Sequence, residues 1–160
     1  MMRRSIEGDS ILPAGRVAIV AAKFNRYVVE ELVEGAFRGL RSCGVSDHRI
    51  DLLRVPGSFE LPLVAQRLAG TGRYAAVICL GAVIRGETDH YDYVCEGAAQ
   101  GILQAGLNTG VPVIFGVLTC ESDAQAIDRA GPDETNKGYE AARVAVEMAS
   151  LLNKIEGRGR

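Results

Sequence analysis

Strand-length apolar runs alternate with helical patterns along this chain, and that alternation restricts the fold more than any other feature. The runs are Arg16–Ala22, Ile50–Val55, Ala75–Leu80 and Val113–Leu118. Continuous apolar runs bounded by Gly and Pro read as strands buried on both faces of a parallel sheet. Glu30–Leu40 carries Leu32, Val33, Ala36, Phe37 and Leu40 at helical spacing, with Val29 one turn earlier. Cys43-Gly44 supplies its glycine stop signal. Pro56-Gly57 ends the second strand, and Ser58 is the expected cap of a helix carrying Leu61, Val64, Ala65 and Leu68. A third helix starts near Tyr91, with Val94, Cys95, Ala98, Ile102 and Ala105 as its buried stripe. Ser122–Ala130 predicts a short helix. Lys137–Asn153 predicts a longer one, with Ala141, Val144, Ala145, Met148, Ala149 and Leu152 on one face.

Strands joined by helices predict an α/β fold, a parallel sheet covered on both faces. Right-handed crossovers then gather every strand-end loop on one edge. Those loops are Lys23–Arg26, Pro56–Glu60, Ala82–His90 and Thr119–Ser122. A length of 160 residues suits one domain spanning 1–160, with flexible tails at 1–5 and 155–160. Ser5–Leu12, with Ile6, Ile11 and Leu12 as apolar anchors, is expected to be an extra strand that pairs outside the main sheet.

Composition removes several classes. The net charge of −2 and the absence of a long basic stretch argue against a nucleic-acid partner. No run is long enough to span a membrane, and Met1–Ser5 is basic without a following apolar core, so it does not read as a signal peptide. Cys43, Cys79, Cys95 and Cys120 are scattered without a C-x-x-C pair and read as reduced core thiols of a cytoplasmic protein. Too few histidines lie near them for a zinc site. The familiar loop chemistries are missing as well. The first strand is followed by Lys23-Phe-Asn-Arg-Tyr27 rather than G-x-G-x-x-G, and neither a P-loop nor a G-x-S-x-G elbow occurs. A receiver domain would carry an aspartate where Gly81-Ala82 stands and a lysine where Thr119-Cys120 stands.

The loops supply something else. Gly81–Tyr93 reads GAVIRGETDHYDY and holds His90, one of 2 histidines in the chain. Strand-to-helix loops are where open α/β sheets place ligands, and an imidazole titrates nearest neutrality. Thr88 and the helix start can hold an anion. Taken alone, the segment fits a solvated crossover equally well. Phe24 and Phe59 fall on neighbouring strand-end loops, where exposed aromatic faces suit a planar ring; packing beneath the loops explains them as well. Glu60 is either a hydrogen-bond acceptor for a ligand or a carboxylate favoured by the helix dipole. Arg129 and Lys137 flank a loop with Gly131 and Pro132. Two cations there can receive a phosphate, and ordinary surface charge is the commoner origin of such pairs.

Together these positions resemble one family. Phe24-Asn25, Gly57-Ser-Phe-Glu60, Gly81-Ala-Val-Ile-Arg-Gly-Glu-Thr-Asp-His90, Phe115-Gly-Val117, Arg129-Ala-Gly131 and Asn136-Lys-Gly138 are similar, in order and spacing, to the signature of the 6,7-dimethyl-8-ribityllumazine synthases. The R-G-x-T-x-H segment and the G-S-[FW]-E turn are its most specific parts. The resemblance implies a flavodoxin-like three-layer sandwich with a four-stranded parallel sheet, and a penultimate step of riboflavin biosynthesis. In that step 5-amino-6-(D-ribitylamino)uracil condenses with 3,4-dihydroxy-2-butanone 4-phosphate, with loss of phosphate and water. It implies no metal and no organic cofactor.

The resemblance also implies roles. Phe24 would stack on the pyrimidine, and Ser58, Phe59 and Glu60 would hold the ribityl chain and ring edge. Ala82, Val83 and Ile84 would line the ring pocket through backbone groups. Glu87 and Thr88 would lie against the butanone phosphate, His90 would transfer protons, and Lys137 would stand near the phosphate. Phe115 and the phosphate-binding Arg129 would come from a neighbouring subunit. A pentamer or an icosahedral shell of pentamers is implied, with the N-terminal strand pairing onto a neighbour. The short Gly131–Asn136 connection is similar to shell-forming members, although it contains Pro132. Two other readings share the scaffold: a non-catalytic flavin- or lumazine-binding module, which would not need His90 and Arg129 together, and a cage or storage protein.

Overall fold

In the computed structural model, which describes residues 2–157, the four strands expected of the main sheet form and pair in parallel. The strands are β1 (Arg16–Ala22), β2 (Ile50–Val55), β3 (Tyr74–Ile84) and β4 (Val113–Cys120). The helices are α1 (Arg26–Ser42), α2 (Leu61–Ala69), α3 (His90–Thr109), α4 (Asp123–Arg129) and α5 (Lys137–Ile155). The sheet order is β2-β1-β3-β4, the flavodoxin-like arrangement. Both faces are buried, and the period of two divides each strand between them. Val17, Ile19 and Ala21 of β1, with Ile78 and Leu80 of β3, pack against α1 and α5. Ala18 and Val20, with Val77 and Cys79, pack against α2 and α3. Burial in that second layer pushes the Cys79 thiol up to about 12, so it stays protonated.

The strand order places a crevice. The chain leaves β1 for α1 on one face and leaves β3 for α3 on the other. The ends of these two adjacent strands are therefore a topological switch point, where open α/β sheets bind ligands. Past Ala21 and Leu80, β1 and β3 no longer pair, and the backbones diverge around that crevice.

Several expectations need correction. Ala82, Val83 and Ile84 are strand, not loop: β3 continues beside β4 as far as Ile84 opposite Cys120. Gly81, expected at the start of the loop, lies inside the strand opposite Val117, where a Cβ would collide with Ser58 Oγ. Ser58 does not cap a helix. It sits buried in a single 3-10 turn, Ser58–Glu60, and α2 starts after it with Pro62 in its first turn, where a missing N–H costs nothing. The buried face of α5 is Ala141, Ala142, Ala145, Val146 and Ala149. Val144 is exposed, because the helix is rotated to bring Ala142 against Gly39 of α1 and Gly138 against Leu32. Cys79 and Cys120 are buried, but Cys43 and Cys95 are only half-buried; all four are free.

The terminal segments also differ. Ser5–Leu12 forms no strand within the chain. It lies along α5, where Asp9 accepts from Lys154 at 2.9 Å and from Ser150 Oγ at 2.8 Å. Those contacts, the Lys154 one foremost, hold the Asp9 carboxyl down at about 2. At the other end α5 runs through Ile155, and the Glu156 N–H donates to Leu152 O. The expected tail is thus partly helix end; Met1 and 158–160 lie outside the described residues. No helix among the described residues is long and apolar enough to cross a membrane.

Candidate active site

The crevice at the ends of β1 and β3 is a cleft of about 660 Å³. Phe24, Ser58, Phe59, Glu60, Ala82, Val83, Ile84, Thr88 and His90 all line it. These residues come from three separate chain segments. Lys23 N–H donates to Val55 O at 2.8 Å and Phe24 N–H to Pro56 O at 3.1 Å, extending the β1–β2 ladder into the loops. That ladder sets the two phenylalanines on one cleft.

Both aromatic rings are open to solvent: Phe24 is 71% exposed and Phe59 58%. Neither is packing under a loop in the ordinary sense, although Phe59 has a firm seat. A Cβ at Gly97 of α3 would run into the Phe59 ring, so the glycine lets the ring lie flat against the helix. Glu60 stands at the entry to α2, and its N–H donates to Gly57 O at 3.2 Å.

His90 is the first residue of α3, and its N–H donates to Thr88 Oγ1 at 3.4 Å. The imidazole itself has no hydrogen-bond partner among the described residues, so it is free for a ligand. Glu87 is exposed in the same loop but stands outside the cleft lining. The loop is moored by Arg85. Its guanidinium donates to Glu121 at 2.8 Å and Asp92 at 3.4 Å and lies 4.4 Å from the centre of the Tyr91 ring. A cation over an aromatic face adds a modest electrostatic hold. Burial, the largest cause, pushes the Tyr91 phenol up.

Phe115, Arg129 and Lys137 are not in this cleft. They line a second one, about 510 Å³, along the open edge of β4 beside α5. Phe115 is 43% exposed there. Arg129 ends α4 and donates to its own helix at Gln125 O, 3.2 Å away. Lys137 opens α5 and pairs with Glu140 at 3.0 Å. The named residues therefore fall into a cleft with two aromatic rings and an imidazole and a separate cleft with two cations and an aromatic. Among the described residues no group of acidic, Cys and His side chains has the makings of a metal site.

Sequence reasoning passed over Asn25 as an actor. Its backbone is left-handed, φ 59°, ψ 45°, a conformation non-glycine residues rarely adopt and Asn tolerates best. Instead of capping α1, its Nδ2 donates to Ala82 O at 2.7 Å. That bond joins the ends of β1 and β3 where their ladder has stopped. An asparagine between a strand end and a helix start was the available signal. Tyr91, Tyr93 and Val94 of α3 also line the cleft; the sequence pattern puts Val94 in the buried stripe and gives the two tyrosines no role.

The family model described as 6,7-dimethyl-8-ribityllumazine synthase matches residues 14–153. The protein named 6,7-dimethyl-8-ribityllumazine synthase in Salinibacter ruber is 50% identical over 156 residues, covering 98% of this chain and 100% of that protein. With an open ring cleft at the switch point and likeness along almost its whole length, the chain belongs to the 6,7-dimethyl-8-ribityllumazine synthase family, transferases of riboflavin biosynthesis.

Proposed function

We propose that this enzyme condenses 5-amino-6-(D-ribitylamino)uracil with 3,4-dihydroxy-2-butanone 4-phosphate to give 6,7-dimethyl-8-ribityllumazine, phosphate and two waters. The observation that carries the reading is the ring cleft. Two solvent-open phenylalanines and an unpartnered imidazole share it with the Ala82–Ile84 strand end. Phe24 stacks on the pyrimidine. Ser58, Phe59 and Glu60 hold the ribityl chain and the ring edge, and the backbone of Ala82, Val83 and Ile84 reads the ring. Thr88, with Glu87 beside it, lies against the butanone phosphate.

Three steps move protons. The uracil's amine adds to the butanone carbonyl and water leaves as the imine forms. Phosphate is then eliminated, and the second nitrogen closes the ring with loss of another water. His90 serves as acid and base for these transfers, a role an imidazole near neutrality suits. The departing phosphate carries about −1.5 to −2 charge, which a bidentate arginine stabilises. Holding two reactive substrates together supplies much of the remaining acceleration.

Arg129, Lys137 and Phe115 serve a neighbouring chain's ring cleft. The reading is supported by their position in a separate cleft on an open sheet edge, beside β4. A closed ring of subunits, a pentamer or a shell of pentamers, brings the second cleft of one chain to the first cleft of the next. The Ser5–Leu12 arm then lies against a neighbour.

Mixing the purified protein with both substrates and following lumazine absorbance and fluorescence tests the reaction; no product at high enzyme concentration overturns it. For the shared site, a His90 variant and an Arg129 variant are denatured and reassembled together. Random mixing in equal amounts restores roughly a quarter of the sites in a head-to-tail ring. Verified mixed rings with no gain in activity would contradict sharing.

A further inference from the structure

We propose that Asn136 is a positioning residue for the two phosphate-facing cations: its buried carboxamide fixes the segment that begins at Arg129 and ends at Lys137. The inference rests on the reading above that Arg129 and Lys137 receive the butanone phosphate.

Asn136 is 0% exposed, which is rare for a side chain with so many polar groups. All of its side-chain hydrogen-bonding capacity is used. Oδ1 accepts from Gly138 N–H at 2.8 Å and Tyr139 N–H at 3.1 Å, capping α5 immediately after Lys137. Nδ2 donates to Gly131 O at 2.8 Å, two residues after Arg129, and to Glu31 O of α1 at 3.1 Å. One carboxamide therefore ties both ends of the cation-bearing connection to each other and to α1. The helix makes room for it: a Cβ at Gly35 would occupy the place of the Asn136 carboxamide.

A cap alone does not require asparagine. Ser, Asp and Asn cap helix starts about equally well, since only an acceptor is needed. What distinguishes asparagine is the pair of donors, and here both go to the α4–α5 connection and its support. Arg129 and Lys137 are otherwise lightly held, Arg129 by its own helix carbonyl and Lys137 by Glu140. The spacing of the two cations across the cleft is thus set by the backbone that Asn136 pins. Placing a charged group correctly matters because small displacements weaken charge-assisted bonds to phosphate.

The test compares assembled Asn136→Ser, Asn136→Asp and Asn136→Ala with the parent enzyme, and Arg129→Ala runs alongside. KM is measured for each substrate, and inorganic phosphate serves as a competitive probe of the cation cleft. Ser and Asp keep the cap acceptor and lose the donors. Both are expected to raise the KM of the butanone phosphate and the inhibition constant of inorganic phosphate about three- to tenfold, the scale of lost hydrogen bonds. The KM of the uracil is expected to stay within about twofold. Asn136→Ala should show the same phosphate loss together with a lower Tm, because it also loses the cap. If Asn136→Ser and Asn136→Asp keep parental phosphate constants while Arg129→Ala does not, Asn136 is a cap only and the proposal fails. Unchanged phosphate constants in Arg129→Ala overturn it at its foundation. Failure of both cap-retaining variants to fold also overturns it, since it would make the donors structural rather than positioning.

Discussion

The two ends of the sheet are built from the same parallel strands and treat polar groups in opposite ways. Where the strands begin, the charged groups satisfy one another. Arg16 grips Asp51 with two bonds of 2.7 and 2.8 Å and donates a third to His48 O. Tyr74 OH donates to the same carboxylate at 2.7 Å, and Arg49 closes the corner on Gly15 O and Pro13 O. Where the strands finish, Phe24 and Phe59 face solvent, the His90 imidazole has no partner among the described residues, and Ala82–Ile84 border an open crevice. The first end spends its polarity on the fold; the second moors its loop through Arg85, Glu121 and Asp92 and leaves the groups lining the cleft available to a ligand. The difference teaches that exposed apolar rings and free titratable groups inform about function only against a paired background. Substitutions at the two ends should therefore separate activity from stability.

The largest separation is expected at His90. His90→Ala should lower turnover about 10- to 1,000-fold, because general acid–base groups contribute on that scale and reactive substrates reduce the demand. The Tm should hold, since the ring bonds to nothing in the fold. Steady-state kinetics with calorimetry reads both quantities. Turnover at the parental rate would remove His90 from the chemistry, and a large fall in Tm would break the contrast between the ends.

Arg129→Ala comes next. Losing a charge-assisted phosphate contact costs about 1.5–3 kcal/mol, roughly a 10- to 100-fold rise in KM for the butanone phosphate. The uracil should bind nearly as before. Arg129→Lys should recover only part of the loss, as lysine lacks the planar fork. Equal weakening of both substrates would place Arg129 among the groups that hold the fold.

Much of this contrast was legible in the sequence. Strand-length apolar runs with helical stripes between them suffice to anticipate the parallel strands; in the central strands both-face burial leaves no polar alternation to misread, while the edge strand β2 carries Asp51 and Arg54. Phe24, Phe59 and His90 were identifiable as residues out of place at strand ends. Close approach was not legible. Gly81 reads as the start of a loop, yet it is a strand glycine making room for Ser58. The rotation of α5 was hidden for the same reason: contact between α1 and α5 is set by Gly39, Gly138 and Ala142, and small residues carry almost no hydrophobic signal. Asn25 and Asn136 escaped because a side-chain bond to a distant carbonyl has no sequence periodicity. The resemblance implies that Phe115 and Arg129 act apart from their own chain's His90; the physical reason that they line a different cleft, β4 being an edge strand, comes from the topology.

A smaller effect sharpens the functional end. Asn25→Gly removes the bond to Ala82 O, and glycine accepts the left-handed backbone freely. Stability should therefore change by no more than about 1 kcal/mol. With the tie between β1 and β3 gone, the KM of the uracil should rise about five- to tenfold, the scale of one hydrogen bond. Asn25→Ala keeps the loss of the bond and adds strain of about 1–2 kcal/mol, so it should lower the Tm where Asn25→Gly does not. An unchanged uracil KM in Asn25→Gly would show that Phe24 and Ala82 need no such tie.

The smallest effect belongs to the paired end, and its sign follows from Asp51. Bonds from Arg16, the largest cause, and from Tyr74 lower the Asp51 carboxyl from 3.8 to about 2. A carboxyl depressed in the folded state contributes stability that is fully present above its unfolded pKa and is lost as pH falls through the folded one. The window is therefore about pH 5 down to 2. The side chains of Arg16 and Asp51 are 41% and 36% exposed, so solvent screens the pair and the contribution is about 1 kcal/mol or less. For a chain of this length that is about 2–4 °C in Tm. Calorimetry across the window should show the parent losing this increment as pH falls, while Asp51→Asn starts lower at neutral pH and lacks it. Lumazine formation at neutral pH should be the same in both. Superimposable acid curves would detach Asp51 from stability, and a loss of activity in Asp51→Asn would show that the two ends of the sheet are coupled.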